Sequence, residues 1–282
     1  MHEKRQILKS IDALCNLCGQ EEFKVREDDD PPFRVLECMH CGLVFVHPFP
    51  DSSGLADHYD EKYYRAWITQ QKDKRVHMWR TRLDRLERKI PKGKLLDVGC
   101  GDGSFLDLAK QSGWAIHGTE YSPHASQFAG KRLGIEVFCG DLTTAGYTDA
   151  AFDVVTMWHV LEHVTDPKGH LLEIHRILKP SGLLVLAVPN VNARVMQWTY
   201  RIIRGRPLRL FSQADREVHL YHFSPATLRA YLEKTGFRCI SLSPDTGIVD
   251  PGKRLVNGVA TLFFHLTGLK YYNAIEVWSI KK

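Results

Sequence analysis

The residues most able to do chemistry in this 282-residue chain are three carboxylates that follow apolar runs, and the first is joined to a glycine loop. Leu95-Leu96-Asp97-Val98-Gly99-Cys100-Gly101-Asp102-Gly103-Ser104 leads an apolar strand into a sharp turn and then a helix. Glycines let a backbone turn tightly and approach a ligand closely, and the first N–H groups of the next helix face that ligand. The spacing is G-x-G-x-G. A dinucleotide loop calls for G-x-G-x-x-G, and Ser104 stands where its third glycine would be. Asp97 would repel a pyrophosphate and attract a cation, so the loop suits a sulfonium better than a phosphate. Glu120 ends the next strand, Trp114–Gly118 with Thr119, where it can accept from ribose hydroxyls. A third strand near Ile135–Cys139 ends at Gly140-Asp141-Leu142. Asp141 can accept from an adenine amino group while Leu142 packs on the ring.

A second constellation follows the apolar run Phe152–Trp158. His159, Glu162 and His163 stand at i, i+3 and i+4, so a helical turn would place them on one face. Either histidine can serve as a general base near neutral pH, with Glu162 orienting an imidazole. The same trio can hold a divalent cation. Alternatively, Glu162 makes a structural hydrogen bond within its turn and His163 packs. His219, Tyr221 and His222, just before Ser224, form another candidate set.

Four of the seven cysteines fall into one pattern, Cys15-x2-Cys18 and Cys38-x2-Cys41. This is zinc-ribbon spacing, and a closed four-thiolate site leaves no coordination position for catalysis. The zinc is therefore structural, with substrate presentation as a second role, and His40 is not a ligand. The alternative, two disulfides in a secreted domain, lacks a signal peptide. Cys100, Cys139 and Cys239 read as small apolar fillers.

Several elements must position these groups. The recurrence of Trp79, Leu83, Leu86 and Ile90 predicts an amphipathic helix that stops at Pro91 and Gly93. Phe105–Gln111 reads as the helix after the glycine loop. Leu183–Val188 is a fifth strand closed by Pro189-Asn190. Ser224-Pro225 is a helix start, Phe237–Leu242 a sixth strand, and Ala274–Ile280 a seventh. The formal charge of +5 is mild and dispersed, and the ribbon hairpin carries Glu21, Glu22, Glu27, Asp28, Asp29 and Asp30 against only Lys24, Arg26 and Arg34. No nucleic-acid partner is expected. With no apolar leader and no window long enough to span a bilayer, the expected location is cytoplasmic.

In the order of these motifs, the chain from Lys92 onward resembles the class I S-adenosylmethionine-dependent methyltransferases. The stretches Phe152–Val164 with Asp166-Pro167, and Arg176-Ile177-Leu178-Lys179-Pro180-Ser181-Gly182, are similar to the family's later motifs. The resemblance implies an α/β fold with a seven-stranded Rossmann-like sheet in the order 3-2-1-4-5-7-6 and helices on both faces. Three parts result: a zinc ribbon over 1–50, a linker and helix over 51–91, and a methyltransferase domain over 92–282 with insertions at 191–218 and 247–273. The cofactor would be held by Asp97, Gly99, Gly101, Gly103, Glu120, Tyr121, Asp141, Leu142 and Trp158. Tyr63, Tyr64 and Trp67 either touch cofactor or substrate or are packing aromatics. His159, Glu162, His163 and His222 are the candidate catalytic residues. Quinone-ring O-methyltransferases have a similar motif with an acidic residue at the first position. His159 departs from it, so a catalytic cation is not expected.

The implied reaction is methyl transfer to a small molecule or a glycan or lipid precursor, with oxygen the favoured acceptor. Ribbon-bearing relatives in sugar and polysaccharide biosynthesis make carbon methylation of a nucleotide-linked sugar the enzymatic alternative. A non-catalytic binding module on this scaffold is the alternative from another class. The 191–218 insertion interleaves aromatic and arginine residues, as a lid, an anion patch or a peripheral membrane contact would. It also reads as a helical pair packed on the domain.

Overall fold

In a computed structural model, residues 7–8, 12–50, 72–215, 217–245, 247 and 251–282 are described. Tyr63, Tyr64 and Trp67 lie outside them. Strands β1 (Ile7–Leu8), β2 (Phe23–Asp30), β3 (Phe33–Cys38) and β4 (Val44–His47) form the amino-terminal unit. Helix α1 (Lys72–Glu87) leads to β5 (Lys94–Val98), α2 (Ser104–Gln111), β6 (Ala115–Glu120), α3 (Pro123–Leu133) and the short β7 (Phe138–Cys139). Next come β8 (Phe152–Trp158), α4 (Pro167–Ile177), β9 (Leu178–Pro189), α5 (Arg194–Arg204) and β10 (Tyr221–His222). The chain closes with α6 (Pro225–Lys234), β11 (Phe237–Pro244), α7 (Pro251–Thr267) and β12 (Ala274–Lys281).

Seven strands form one sheet in the order β11-β12-β9-β8-β5-β6-β7. Numbered within that sheet alone, this is 3-2-1-4-5-7-6 read from the other edge, the order the resemblance implies. The strands β5 to β9 run parallel, and β12 pairs antiparallel with both β9 and β11. Parallel strands are covered on both faces, which is why they are nearly continuous apolar runs such as Leu183–Val188. One face packs on Trp79, Leu83 and Leu86 of α1, Phe105 and Leu106 of α2, and Leu133 of α3. Leu171, Ile174 and Ile177 of α4 and Leu228, Tyr231 and Leu232 of α6 belong to the other apolar cluster. Ser224 caps α6 in a reciprocal box with Thr227, ahead of Pro225 at the first helical turn.

Two local expectations are corrected. The segment after β8 is a turn, not a helix, and His159 takes a left-handed φ of 56°. The third strand shrinks to Phe138–Cys139, because only these two residues pair with β6 at the sheet edge, and Cys139 is exposed rather than a core filler.

The amino-terminal unit does not stand apart. Phe23, Leu36 and Val46 belong to the same buried cluster as α4 and α6. β10 pairs with β4, so a five-stranded sheet β1-β2-β3-β4-β10 joins the ribbon to the chain beyond residue 220. Asn16 makes the clearest single tie. Its Nδ2 donates to Asp166 at 2.8 Å, and its Oδ1 accepts from Tyr231 Oη at 2.9 Å and from the Lys168 N–H. Removing these by Asn16→Ala should destabilise the protein by about 2 kcal/mol. Urea unfolding measures it; a loss below about 0.5 kcal/mol would show that apolar packing alone docks the ribbon.

Candidate functional site

The carboxyl ends of the parallel strands surround a cavity of about 600 Å³, which is the position expected for a ligand site in an open α/β sheet. The glycine loop forms one wall. Gly99 has φ +69°, and a Cβ there would come within 2.5 Å of Val160 Cγ2, so no other residue fits without movement. Gly101 donates its N–H to Glu120 Oε2 at 2.9 Å, and Glu120 Oε1 accepts from the Ser122 N–H at 2.9 Å. The carboxylate at the end of β6 is thereby fixed at the cavity wall with the loop after β5 bound to it.

Asp97 is buried beneath this loop, and Thr156 donates to it at 2.6 Å. Burial, reinforced by the charge of Glu120, pushes its pKa up to about 7 despite the opposing effects of Thr156 and Arg82. A carboxyl so placed gains most from a cationic ligand. Asp141 caps the 3-10 turn Leu142–Thr144 by accepting from Thr143, and its Oδ2 lies 3.0 Å from His170 Nε2. Burial opposes its ionisation, but hydrogen bonds from His170 and Thr143 dominate and hold its pKa well below the usual range. His170, which also lines the cavity, is a site residue that sequence reasoning missed.

The second constellation is a network of buried charge. His159 Nε2 lies 3.1 Å from Asp245 Oδ2, and Nδ1 lies 3.5 Å from Glu162 Oε1. Arg82 Nη2 donates to both oxygens of Asp245, at 2.8 and 2.9 Å. The Arg82 guanidinium also stacks on Trp158, 4.1 Å from its ring centre. Burial disfavours the imidazolium, but the hydrogen bonds and charges of Asp245 and Glu162 prevail and raise the His159 pKa to about 9. At neutral pH His159 is therefore a cation. Two cations and two carboxylates balance, with Glu162 and Asp245 fully buried and the His159 side chain 39% exposed. Arg82 and Asp245 were not singled out in the sequence; Arg82 carries a signal, a charge among Trp79, Leu83 and Leu86 on the inward stripe.

Of the other expected residues, Tyr121, Leu142, Trp158, His159 and His163 line the cavity with Asp97, Gly99, Gly101, Glu120 and Asp141. Gly103 does not. It caps α2 at φ 72°, where a Cβ would meet Leu133 and Ala129 within 3.2 Å, so its place is in helix packing. Glu162 lies under the surface of the cavity rather than in its lining. His222 is a correction: its pairing with Val44 turns it into the interior, and burial lowers its pKa to about 3. His163 Nδ1 lies 2.7 Å from the Val218 carbonyl, so Nδ1 carries a proton and donates there, while Nε2 lies 4.0 Å from Glu162 Oε1.

Two groups among the described residues could surround a metal ion. One is Glu162, His163 and His219, rather than the trio read from the sequence; the other is Cys15, Cys18, Cys38 and Cys41. The four sulfurs lie within 4.8 Å of one another, with Cys15–Cys41 and Cys18–Cys38 at 3.5 Å. Zinc–sulfur bonds of about 2.3 Å in a tetrahedron put sulfurs roughly 3.8 Å apart, so this donor set fits zinc.

The methyltransferase domain family matches residues 68–242, and this chain belongs to it. It is an S-adenosylmethionine-dependent methyltransferase of Rossmann-like fold. The ubiquinone biosynthesis O-methyltransferase of Coxiella burnetii is 28% identical over 190 residues, covering 63% of this chain and 78% of that one. Its mitochondrial namesake from Schizosaccharomyces pombe is 32% identical over 145 residues, 46% of this chain and 53% of that one. Magnesium protoporphyrin IX methyltransferase from Synechocystis, solved with bound SAH, shares the fold at a TM-score of 0.57 and 15% identity, covering 82% of this chain and all of that one, 100%. A Haloferax volcanii methyltransferase solved with the Trm112 activator superposes at 0.56 and 18% identity, over 80% of this chain and 96% of that chain.

The raised pKa of Asp97 makes binding of a cationic ligand pH-dependent. A ligand with a protonated amino group favours the ionised carboxyl, so S-adenosylhomocysteine should bind more tightly as pH rises to about 7 and then level off. Calorimetry below that pH should register proton release, and Asp97→Asn should abolish it. Binding without proton release would separate Asp97 from the ligand's cation.

Proposed function

We propose that this enzyme methylates a hydroxyl of a small molecule, with His163 as the general base. Its support is the placement of His163: the Val218 carbonyl holds Nδ1 at 2.7 Å, Nε2 lies 4.0 Å from Glu162 Oε1, and the ring lines the cavity. The O-methyltransferase names of the curated relatives favour oxygen over carbon as acceptor.

When bound, S-adenosylmethionine supplies an activated methyl group on a sulfonium. The chain's task is alignment and removal of one proton. Glu120, held by Gly101 and Ser122, would take the ribose hydroxyls, Asp141 and Leu142 the adenine, and Asp97 the cationic amino group. Gly99, Gly101, Tyr121 and Trp158 complete the pocket. His159 is protonated at neutral pH and bridges Asp245 to Glu162, so it orients the turn that carries His163 and does not itself accept the acceptor's proton. Glycan or lipid precursors fit the acceptor class, and we place the enzyme in the cytoplasm. Among the described residues no helix is long and apolar enough to cross a membrane.

We further propose that the four cysteines hold one structural zinc ion. Chelation should lower the unfolding free energy by about 3 kcal/mol or more and release zinc stoichiometrically, read by thermal unfolding with a zinc dye. Unchanged stability after complete chelation would remove the metal from the ribbon.

His163→Gln should lower kcat by about a hundredfold or more with little change in S-adenosylhomocysteine affinity, and the wild-type product should contain a methyl ether. A new carbon–carbon bond would transfer the reading to carbon methylation. Equal loss of turnover and cofactor binding would end the general-base assignment.

A further inference from the structure

Helices α5 and α7 pack along one another, yet both turn apolar side chains to solvent. On α7 the outward residues Leu255, Val259, Leu262, Phe263 and Leu266 recur at helical spacing, a continuous stripe. Its opposite side, through Asn257, Ala260 and Phe264, already packs inward. An ordinary surface helix has one apolar face and buries it; α7 has a second. On α5, Trp198 and Ile202 lie one turn apart at 73% and 79% exposure, with Ile203 beside them, and no residue of this helix is buried. Arg194 of α5 sits 4.9 Å from the ring of Tyr271 just past α7, which joins the two helices into one surface.

The two segments that form this surface carry charge of one sign, while the acidic hairpin meets the first of them at Leu210 and Gln213. The chain from Asn190 to Ala214 contains Arg194, Arg201, Arg204, Arg206 and Arg209 and no Asp or Glu. From Pro251 to Ile275 it contains Lys253, Arg254 and Lys270, again with no acidic residue. A second copy of this chain would bring like charge onto like charge across a self-complementary interface, which disfavours a dimer here. Apolar side chains on segments that also carry arginines and lysines match an anionic bilayer surface, where apolar groups enter the acyl boundary and cations meet the headgroups.

We infer that α5 and α7 together form a peripheral docking surface for anionic lipid membranes. α5 begins just after Asn190 at the end of β9, and α7 begins after Gly247, which lines the cavity. The docking surface thus adjoins the edge of the sheet that carries the site. It stands independently of which acceptor is methylated.

The test is co-flotation of the full-length, zinc-loaded protein with vesicles of phosphatidylcholine with or without phosphatidylglycerol. Binding should require phosphatidylglycerol and fall with salt. The double variant Leu262→Asp/Leu266→Asp should lose about tenfold or more in partitioning, with thermal unfolding and S-adenosylhomocysteine affinity unchanged. Those positions are 61% and 76% exposed, so the fold should tolerate the change. Arg201→Glu/Arg204→Glu provides the independent check, with a loss of about tenfold or more on the phosphatidylglycerol vesicles. No flotation, equal flotation on neutral lipid, or wild-type flotation by both variants would overturn the inference. So would self-association in sedimentation velocity that the leucine variant abolishes while vesicles bind nothing, since the face would then belong to a second copy.

Discussion

The ion pair between Arg82 and Asp245, completed by His159 and Glu162, is the constraint on which the site depends. Its members come from three distant stretches of chain: the helix before the sheet, the turn after β8, and the end of β11. Asp245 and Glu162 are fully buried. A lone buried carboxylate is very costly, and removing one partner from such a pair costs about 3–5 kcal/mol, so the segments are held in one relative placement or the site does not form. The network also reaches the ribbon. The Glu162 carbonyl accepts from the N–H groups of Leu220 and Tyr221, which start the strand that pairs with β4.

That linkage gives the amino-terminal unit a part in the architecture beyond its four-cysteine cluster. Its Glu27 accepts from the Leu210 N–H and its Asp30 from the Gln213 N–H, while Phe33 packs on Phe211 at 5.4 Å between ring centres. The acidic hairpin therefore holds the 191–218 insertion by its backbone. The ribbon thus contacts the insertion that carries α5.

The sheet and its strand-end carboxylates were legible in the sequence because their signals are local. Apolar runs, glycine spacing and the Ser224-Pro225 cap each depend on a few adjacent residues. The network was not legible, because its pairs are separated by up to 163 positions, as Arg82 and Asp245 are. His159 illustrates the limit. Its type and spacing from Glu162 suggested a helical face, whereas the chain takes a left-handed residue there and turns the ring between two carboxylates. Those carboxylates then raise its pKa above histidine's ordinary value. Asp141 is similar: the sequence offers it to an adenine, and the fold also gives it to His170. His222 failed as a candidate because a two-residue strand buried it.

The sign of the His159 shift gives the network a defined pH signature. A pKa raised from 6.5 to about 9 contributes stability that is complete below about 6.5 and is lost as pH climbs through 9. The most direct measurement is an NMR titration of the His159 ring in the wild-type protein and in Asp245→Asn. The account predicts a wild-type midpoint far above that of an ordinary histidine, near 9, and a clear fall in the variant. A wild-type midpoint at or below 6.5 would contradict it, since His159 would then be neutral and the buried carboxylates unbalanced.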